Sequence, residues 1–175
     1  MSLYSPCSFT PYGRSTLSVT VLVTLVLLLV TLLSFPSYAT TIMSGELAKH
    51  LKAIDYGKKA DNTWVAPSTT EQQQFEAVFD AFIAQDFPLA QELATPIGYD
   101  VAQFFDTNTQ STYYLLQERA SLHSVEFKGG GTYVYNPLGL NAILQAPHPK
   151  RDTFTGTQAI DAFLYTKTKL LMLAG

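Results

Sequence analysis

Ala142-Ile143-Leu144-Gln145-Ala146 is followed, beyond a proline-bounded loop, by Ala159, Ile160, Phe163 and Leu164, and then by Leu170-Leu171-Met172-Leu173-Ala174. Short uncharged apolar runs of this length read as strands buried in a sheet, and the spacing of the middle four residues reads as one face of a helix. Strand, helix and strand within about 30 residues form a βαβ unit, whose crossover is expected to be right-handed and whose strands are expected to be parallel. Upstream, Tyr113 to Gln117 and Thr132 to Tyr135 are rich in aromatic and aliphatic residues. Gly129-Gly130-Gly131 between them permits positive φ and chain reversal, so these two strands are expected to be antiparallel. The class is therefore α/β, a mixed sheet with a C-terminal βαβ unit. Strands buried on both faces normally lead into a loop and a covering helix. The sequence accordingly reads as truncated after its last strand, the alternative being an edge strand that finishes the domain.

Working outward, Ser44 is expected to cap a short helix that carries Leu47, Leu51 and Ile54 and ends near Gly57. A loop from Asp55 to Pro67 follows, with Trp64 folded onto the domain. Ser68-Thr69-Thr70-Glu71 has the capping-box spacing, and Phe75, Val78, Phe79, Phe82 and Ile83 then form a wide apolar helix face. A short helical turn from Leu89 to Leu93 is stopped by Pro96 and Gly98. The reading puts Phe75, Phe79, Phe82, Ile143, Leu144, Phe163, Leu171 and Leu173 together in one core.

Composition bounds the function. At 47% hydrophobic and 14% charged over 175 residues, the chain can bury a core and is not a charge-rich disordered segment. Its formal net charge is −3, and no basic stripe for nucleic acid is present. Leu17 to Phe35 contains no charged residue, so this segment enters a membrane either as a secretory signal or as an uncleaved anchor. Pro36 followed by Ser37-Tyr38-Ala39 places small residues three and one positions before a cut, as signal cleavage requires. The expected organisation is a signal peptide or signal anchor over 1–39 and an exported α/β domain over 40–175, periplasmic or secreted. The membrane is touched only through the N-terminal segment. The single cysteine, Cys7, precedes the apolar run, so neither a disulfide scaffold nor a cysteine metal site is available.

The residues that carry chemistry follow the strand Ala142 to Ala146. In open α/β sheets ligands bind beyond the carboxyl ends of the strands, and Ala146-Pro147-His148-Pro149-Lys150-Arg151-Asp152 occupies that place. A neutral imidazole at His148 and a carboxylate at Asp152 suit zinc, which needs three protein groups and an open position in a catalytic site. The competing reading is structural, with His148 hydrogen-bonding the loop and Asp152 capping the following helix, for which Thr153 or Thr155 is the other expected cap. Elsewhere, His50 reads as a surface residue and His123 as a solvated turn residue. Glu118 and Arg119 read as a strand end that could meet a carboxylate substrate. There is no phosphate-binding loop signature and no serine nucleophile elbow.

The stretch Gln145 to Gly156, followed by a helix and Leu170 to Gly175, resembles the first metal-site region of the N-formylglutamate amidohydrolase and poly-gamma-glutamate hydrolase families, relatives of the zinc carboxypeptidases. The resemblance implies a zinc held by a histidine and an acid of this loop, with a further histidine later in the chain. His148 matches the first ligand and Asp152 is the acid nearest the second. The carboxypeptidase pattern has a glutamate three residues after the histidine, where Arg151 stands here. The expected function is an exported metal-dependent hydrolase of amide bonds, in which Arg151 orients a small acidic or peptide substrate. The alternative is a non-catalytic binding domain, or an inactive relative, that uses the chain's many aromatic residues.

Overall fold

The computed structural model describes residues 40–54, 66–119, 130–147 and 154–174. The chain divides into two units, Met1–Ser37 and Tyr38–Gly175, and every described residue belongs to the second. The expectations placed on residues 1–39, Trp64, His123, Gly129, His148, Arg151 and Asp152 lie outside the described residues.

In chain order the elements are β1 (Thr41–Gly45), α1 (Leu47–Ala53), α2 (Thr69–Ile83), α3 (Phe87–Ala94), a 3-10 turn (Thr95–Ile97), β2 (Tyr99–Asp106), β3 (Ser111–Glu118), β4 (Thr132–Tyr135), β5 (Leu140–Ala146), α4 (Thr155–Thr166) and β6 (Thr168–Leu173). The strands form one mixed sheet in the order β1-β2-β3-β4-β6-β5. The outer pairs β1/β2 and β5/β6 are parallel, and the three inner pairs are antiparallel. The α/β class is thus realised, with β5, α4 and β6 as its βαβ unit. β6 is not an edge strand, because β4 and β5 flank it; the edges are β1 and β5.

Side chains that alternate along each strand feed two separate cores. Phe104, Tyr113, Leu115, Val134, Ala146, Leu171 and Leu173 point to the face covered by α1 and α4, where Leu47, Leu51, Ile160 and Phe163 are buried. Tyr99, Val101, Leu116, Tyr135 and Leu170 point to the opposite face, covered by Val78, Ala81 and Phe82 of α2 and by Ala90 and Ala94 of α3. This corrects the expectation of a single core: Phe82 and Phe163 are both fully buried, but the sheet lies between them. Phe75, Phe79 and Leu144 are only half-buried. Ile143 is 66% exposed. It pairs with Leu170 and so faces the α2/α3 side of the edge strand β5, beyond the margin of those helices.

The helix starts follow local chemistry in two cases of four. Ser68 Oγ accepts the Glu71 N–H at 3.3 Å and Glu71 Oε2 accepts the Ser68 N–H at 2.9 Å, so the capping box is formed. Asp86 Oδ1 accepts the Leu89 N–H at 3.2 Å at the start of α3. Gly98, in the left-handed region at φ 81°, ends the segment that Pro96 interrupts. Ser44, by contrast, is not a cap. It lies in β1 opposite Phe105, and the first turn of α1 is capped from 59 residues away, by Asp106 Oδ1 on the Leu47 N–H at 2.8 Å. At the β3–β4 turn, Gly131 has φ +92°, and a Cβ there would lie 2.5 Å from the Leu173 carbonyl oxygen. Glycine is required at that position for both reasons.

Candidate functional site

β3, β5 and β6 run in the same direction, so their carboxyl ends share one end of the sheet. The pairings Asp100↔Gln117, Gln117↔Thr132, Thr132↔Leu173 and Leu173↔Ala146 place these residues in one row across it. One step beyond that row lie Tyr99, Glu118, Gly131, Ala174 and Pro147. The Ala174 N–H donates to the Ala146 carbonyl at 3.1 Å, which fixes where the chain leaves β5. It re-enters regular structure at Phe154, the N-cap of α4, whose φ is 67° and whose side chain makes no capping hydrogen bond. Thr155 is therefore the first residue of the helix and not its cap. The loop from Pro147 to Phe154 joins the carboxyl end of a parallel strand to the amino end of a twelve-residue helix. Backbone N–H groups and the helix dipole both favour an anion there.

The other polar groups at this end are engaged by the protein itself. Arg119 Nε donates to both Asp100 oxygens at 3.2 Å, and Arg119 Nη2 donates to Asp100 Oδ1 at 3.1 Å and to the Thr95 carbonyl at 3.5 Å. Gln91, 6% exposed, donates to Asp100 Oδ1 at 3.5 Å and accepts the Val101 N–H at 2.7 Å. The half-buried guanidinium thus ties β3 to the start of β2 and to the 3-10 turn, and its ion pair with Asp100 occupies its Nε and Nη2 donors.

Glu118 Oε1 accepts the Gly130 N–H at 3.1 Å, while Tyr133 donates its hydroxyl to the Gly130 carbonyl at 2.9 Å. The Tyr99 hydroxyl fills the place a Cβ on residue 130 would take. Burial, then the charge of Glu118, then the neighbouring Tyr133 push the Tyr99 phenol well above its ordinary value. Burial and Glu118 raise Tyr133 in the same direction. Both phenols stay protonated at neutral pH and act as fasteners of the β3–β4 connection, not as bases. β3 and β5 are separated by three strand spacings, about 14 Å.

His50 is not a free surface residue. Its ring lies 5.1 Å from the Phe104 ring, centroid to centroid, and its Nε2 is 3.4 Å from Gln117 Oε1. The sequence placed it beside lysines, but in the fold it faces the sheet, against Phe104 of β2 and Gln117 of β3. Asp106, missed by sequence reading, is 2% exposed at the opposite end of the sheet. Besides Leu47, it accepts the Thr109 N–H at 2.9 Å and the Thr109 hydroxyl at 2.6 Å. Burial opposes its ionisation, but the hydrogen bonds from the Thr109 hydroxyl and from the N–H groups of Leu47, Thr109 and Asn108 outweigh it. They hold the carboxyl below its ordinary value. A groove of about 490 Å³ between α2 and α3, lined by Thr70, Gln73, Glu92 and Leu93 among others, brings no paired catalytic groups together. Among the described residues no group of three or more His, Cys, Asp or Glu side chains could hold a metal ion.

The described residues form an α/β domain with helices on both faces of a mixed sheet. Compared with protein-family models, with curated proteins and with solved structures, the chain matches none.

Proposed function

We propose that the chain is an exported zinc-dependent hydrolase of amide bonds, with His148 and Asp152 as metal ligands and Arg151 orienting a small acidic or peptide substrate. The observation that supports this reading is the position of the Pro147 to Phe154 loop, at the carboxyl end of β5 and the amino end of α4 in a parallel βαβ unit. The donor set fits zinc in kind, an imidazole nitrogen and a carboxylate oxygen, and needs one more protein ligand to complete a catalytic site. Zinc, when bound, supplies a water whose pKa is lowered to about 7 and polarises the scissile carbonyl. The chain's own contribution is to hold that ligand pair on a loop stiffened by Pro147 and Pro149. It also presents the first N–H groups of α4, together with the Arg151 guanidinium, to a substrate carboxylate.

The aromatic-rich binding reading loses support from the packing. Phe75, Phe79, Phe82, Phe87, Tyr99, Tyr114, Tyr133 and Tyr135 contact one another between the helices α2 and α3 and the sheet, so they do not form a free recognition surface. The deciding experiment is zinc analysis of the purified protein beside its His148→Ala and Asp152→Asn variants, with hydrolysis of an N-formyl or γ-glutamyl amide followed in parallel. Zinc in the parent and its loss from His148→Ala is the expected result. Equal zinc in all three proteins, or none in any, leaves a non-catalytic domain as the better account.

A further inference from the structure

β5 is the last strand of the sheet, with β6 on one side and, among the described residues, no strand on the other. One row of its backbone N–H and C=O groups therefore points outward and can pair with another chain. Seven residues at about 3.3 Å each make this edge roughly 23 Å long. Leu140 and Ile143 pair with Thr168 and Leu170, two positions apart on β6, so both stand on the face that α2 and α3 cover elsewhere, and each is 66% exposed. Leu138, just ahead of the strand, is 91% exposed.

Charge is missing from this flank. Asn136 to Pro147 contains no charged residue. In α4, which packs against β5, Asp161 is the single charged residue. It is turned to α1, where its Oδ1 accepts a hydrogen bond from Lys52 Nζ at 2.6 Å. Natural sheet edges are kept single by lysines, prolines or inward-pointing charges as well as by bulges. Over its length β5 has only an irregularity of register between Leu140 and Ile143. The other edge is different: β1 has five residues and one large exposed side chain, Ile42, and the charged Glu46 follows it directly.

We propose that β5 is the contact through which two copies of this chain associate, antiparallel across a twofold axis near Ile143, so that two six-stranded sheets join into one. Such an axis sets the same surface against itself: Ile143 of one copy lies beside Ile143 of the second copy on the same face, and the two uncovered margins meet. A second copy fits this edge better than an unlike protein does. Unlike partners are selected by complementary charge, and this edge has none to match, whereas homodimer contacts are apolar and poor in charge. The extent of the edge sets the strength. A strip roughly 23 Å long with its flanking side chains covers less than the roughly 800 Å² per partner of a standard interface, so the dimer is reversible, with a dissociation constant in the micromolar range. The proposal stands apart from the zinc reading, because a non-catalytic domain would present the same edge.

The test is sedimentation velocity of the full chain over a range of concentrations, beside its Ile143→Lys and Ile42→Lys variants. Residue 143 is exposed in the protomer, so Ile143→Lys keeps the fold, which the midpoint of chemical denaturation in dilute solution checks. In that variant two ammonium groups meet at the axis. The parent is expected to pass from monomer to dimer as concentration rises, Ile143→Lys to raise the dissociation constant by about tenfold or more, and Ile42→Lys to leave it unchanged. A parent that stays monomeric at every concentration overturns the proposal, as does a dimer that a folded Ile143→Lys variant forms equally tightly. A dimer lost in Ile42→Lys but kept in Ile143→Lys places the contact on β1 and overturns it too.

Discussion

Asp106 shows what a single residue does when the fold gives it partners that its neighbours in sequence cannot. The Asp106-Thr107-Asn108-Thr109 turn is a local pattern that favours side-chain to backbone hydrogen bonds. Nothing local announces that the same carboxylate also caps a helix 59 residues earlier. Its hydrogen bonds favour the charged form, so its contribution to stability is fully present above the ordinary carboxylate range and is lost as pH falls through its lowered folded value. Asp106→Asn should therefore cost about 2 kcal/mol at neutral pH. In urea titrations at a series of pH values, the gap between variant and parent should close below about pH 4. A gap that persists unchanged at pH 2 would show that shape and not charge is what matters. Ser68→Ala, which removes an exposed cap, should cost about 1 kcal/mol with no comparable pH dependence.

Among the elements, those with a strong period were legible and those at the margins were not. The α2 stripe, the α3 turn, the antiparallel β3/β4 pair and the β5-α4-β6 unit all follow from spacing. β2 escaped notice because Asp100 and Gln103 interrupt its apolar residues, yet it is central: Tyr99 and Val101 serve one core and Ala102 and Phe104 the other. β1 escaped because an edge strand of five residues with Thr41, Ile42 and Ser44 exposed has no buried face to reveal it. The burial pattern decides which substitutions hurt. Phe82→Ala, at a fully buried site, should cost about 3 to 5 kcal/mol, whereas Ile143→Ser, on the uncovered margin of β5, should stay within about 0.5 kcal/mol. Gly131→Ala combines positive φ with a backbone clash and should cost more than about 1 kcal/mol. Chemical denaturation of the three variants measures all of these.

At the scale of the whole molecule, the six-stranded sheet separates two apolar clusters that share no buried residue. Phe82→Ala and Phe163→Ala should therefore destabilise additively, within about 0.5 kcal/mol in a double-mutant cycle. A larger coupling would mean that the sheet transmits strain from one face to the other. The position of the candidate site also belongs to this scale, since the loop after β5 gains its meaning from the direction of β5 and from the helix that follows. The sequence by itself determined the α/β class, the βαβ unit, the capping box and the loop that carries His148, Arg151 and Asp152. All of these rest on periods and spacings within some twenty to thirty residues, where side-chain alternation and backbone preference act locally. Only the tertiary structure decided that the core is two cores, that β6 is interior and β5 an edge, and that Arg119 is paired with Asp100. It alone decided that Asp106, and not Ser44, starts α1. These outcomes depend on which strands become neighbours, and strand order is set by the global burial of apolar faces against the cost of leaving edges open, a balance that no local window of sequence contains.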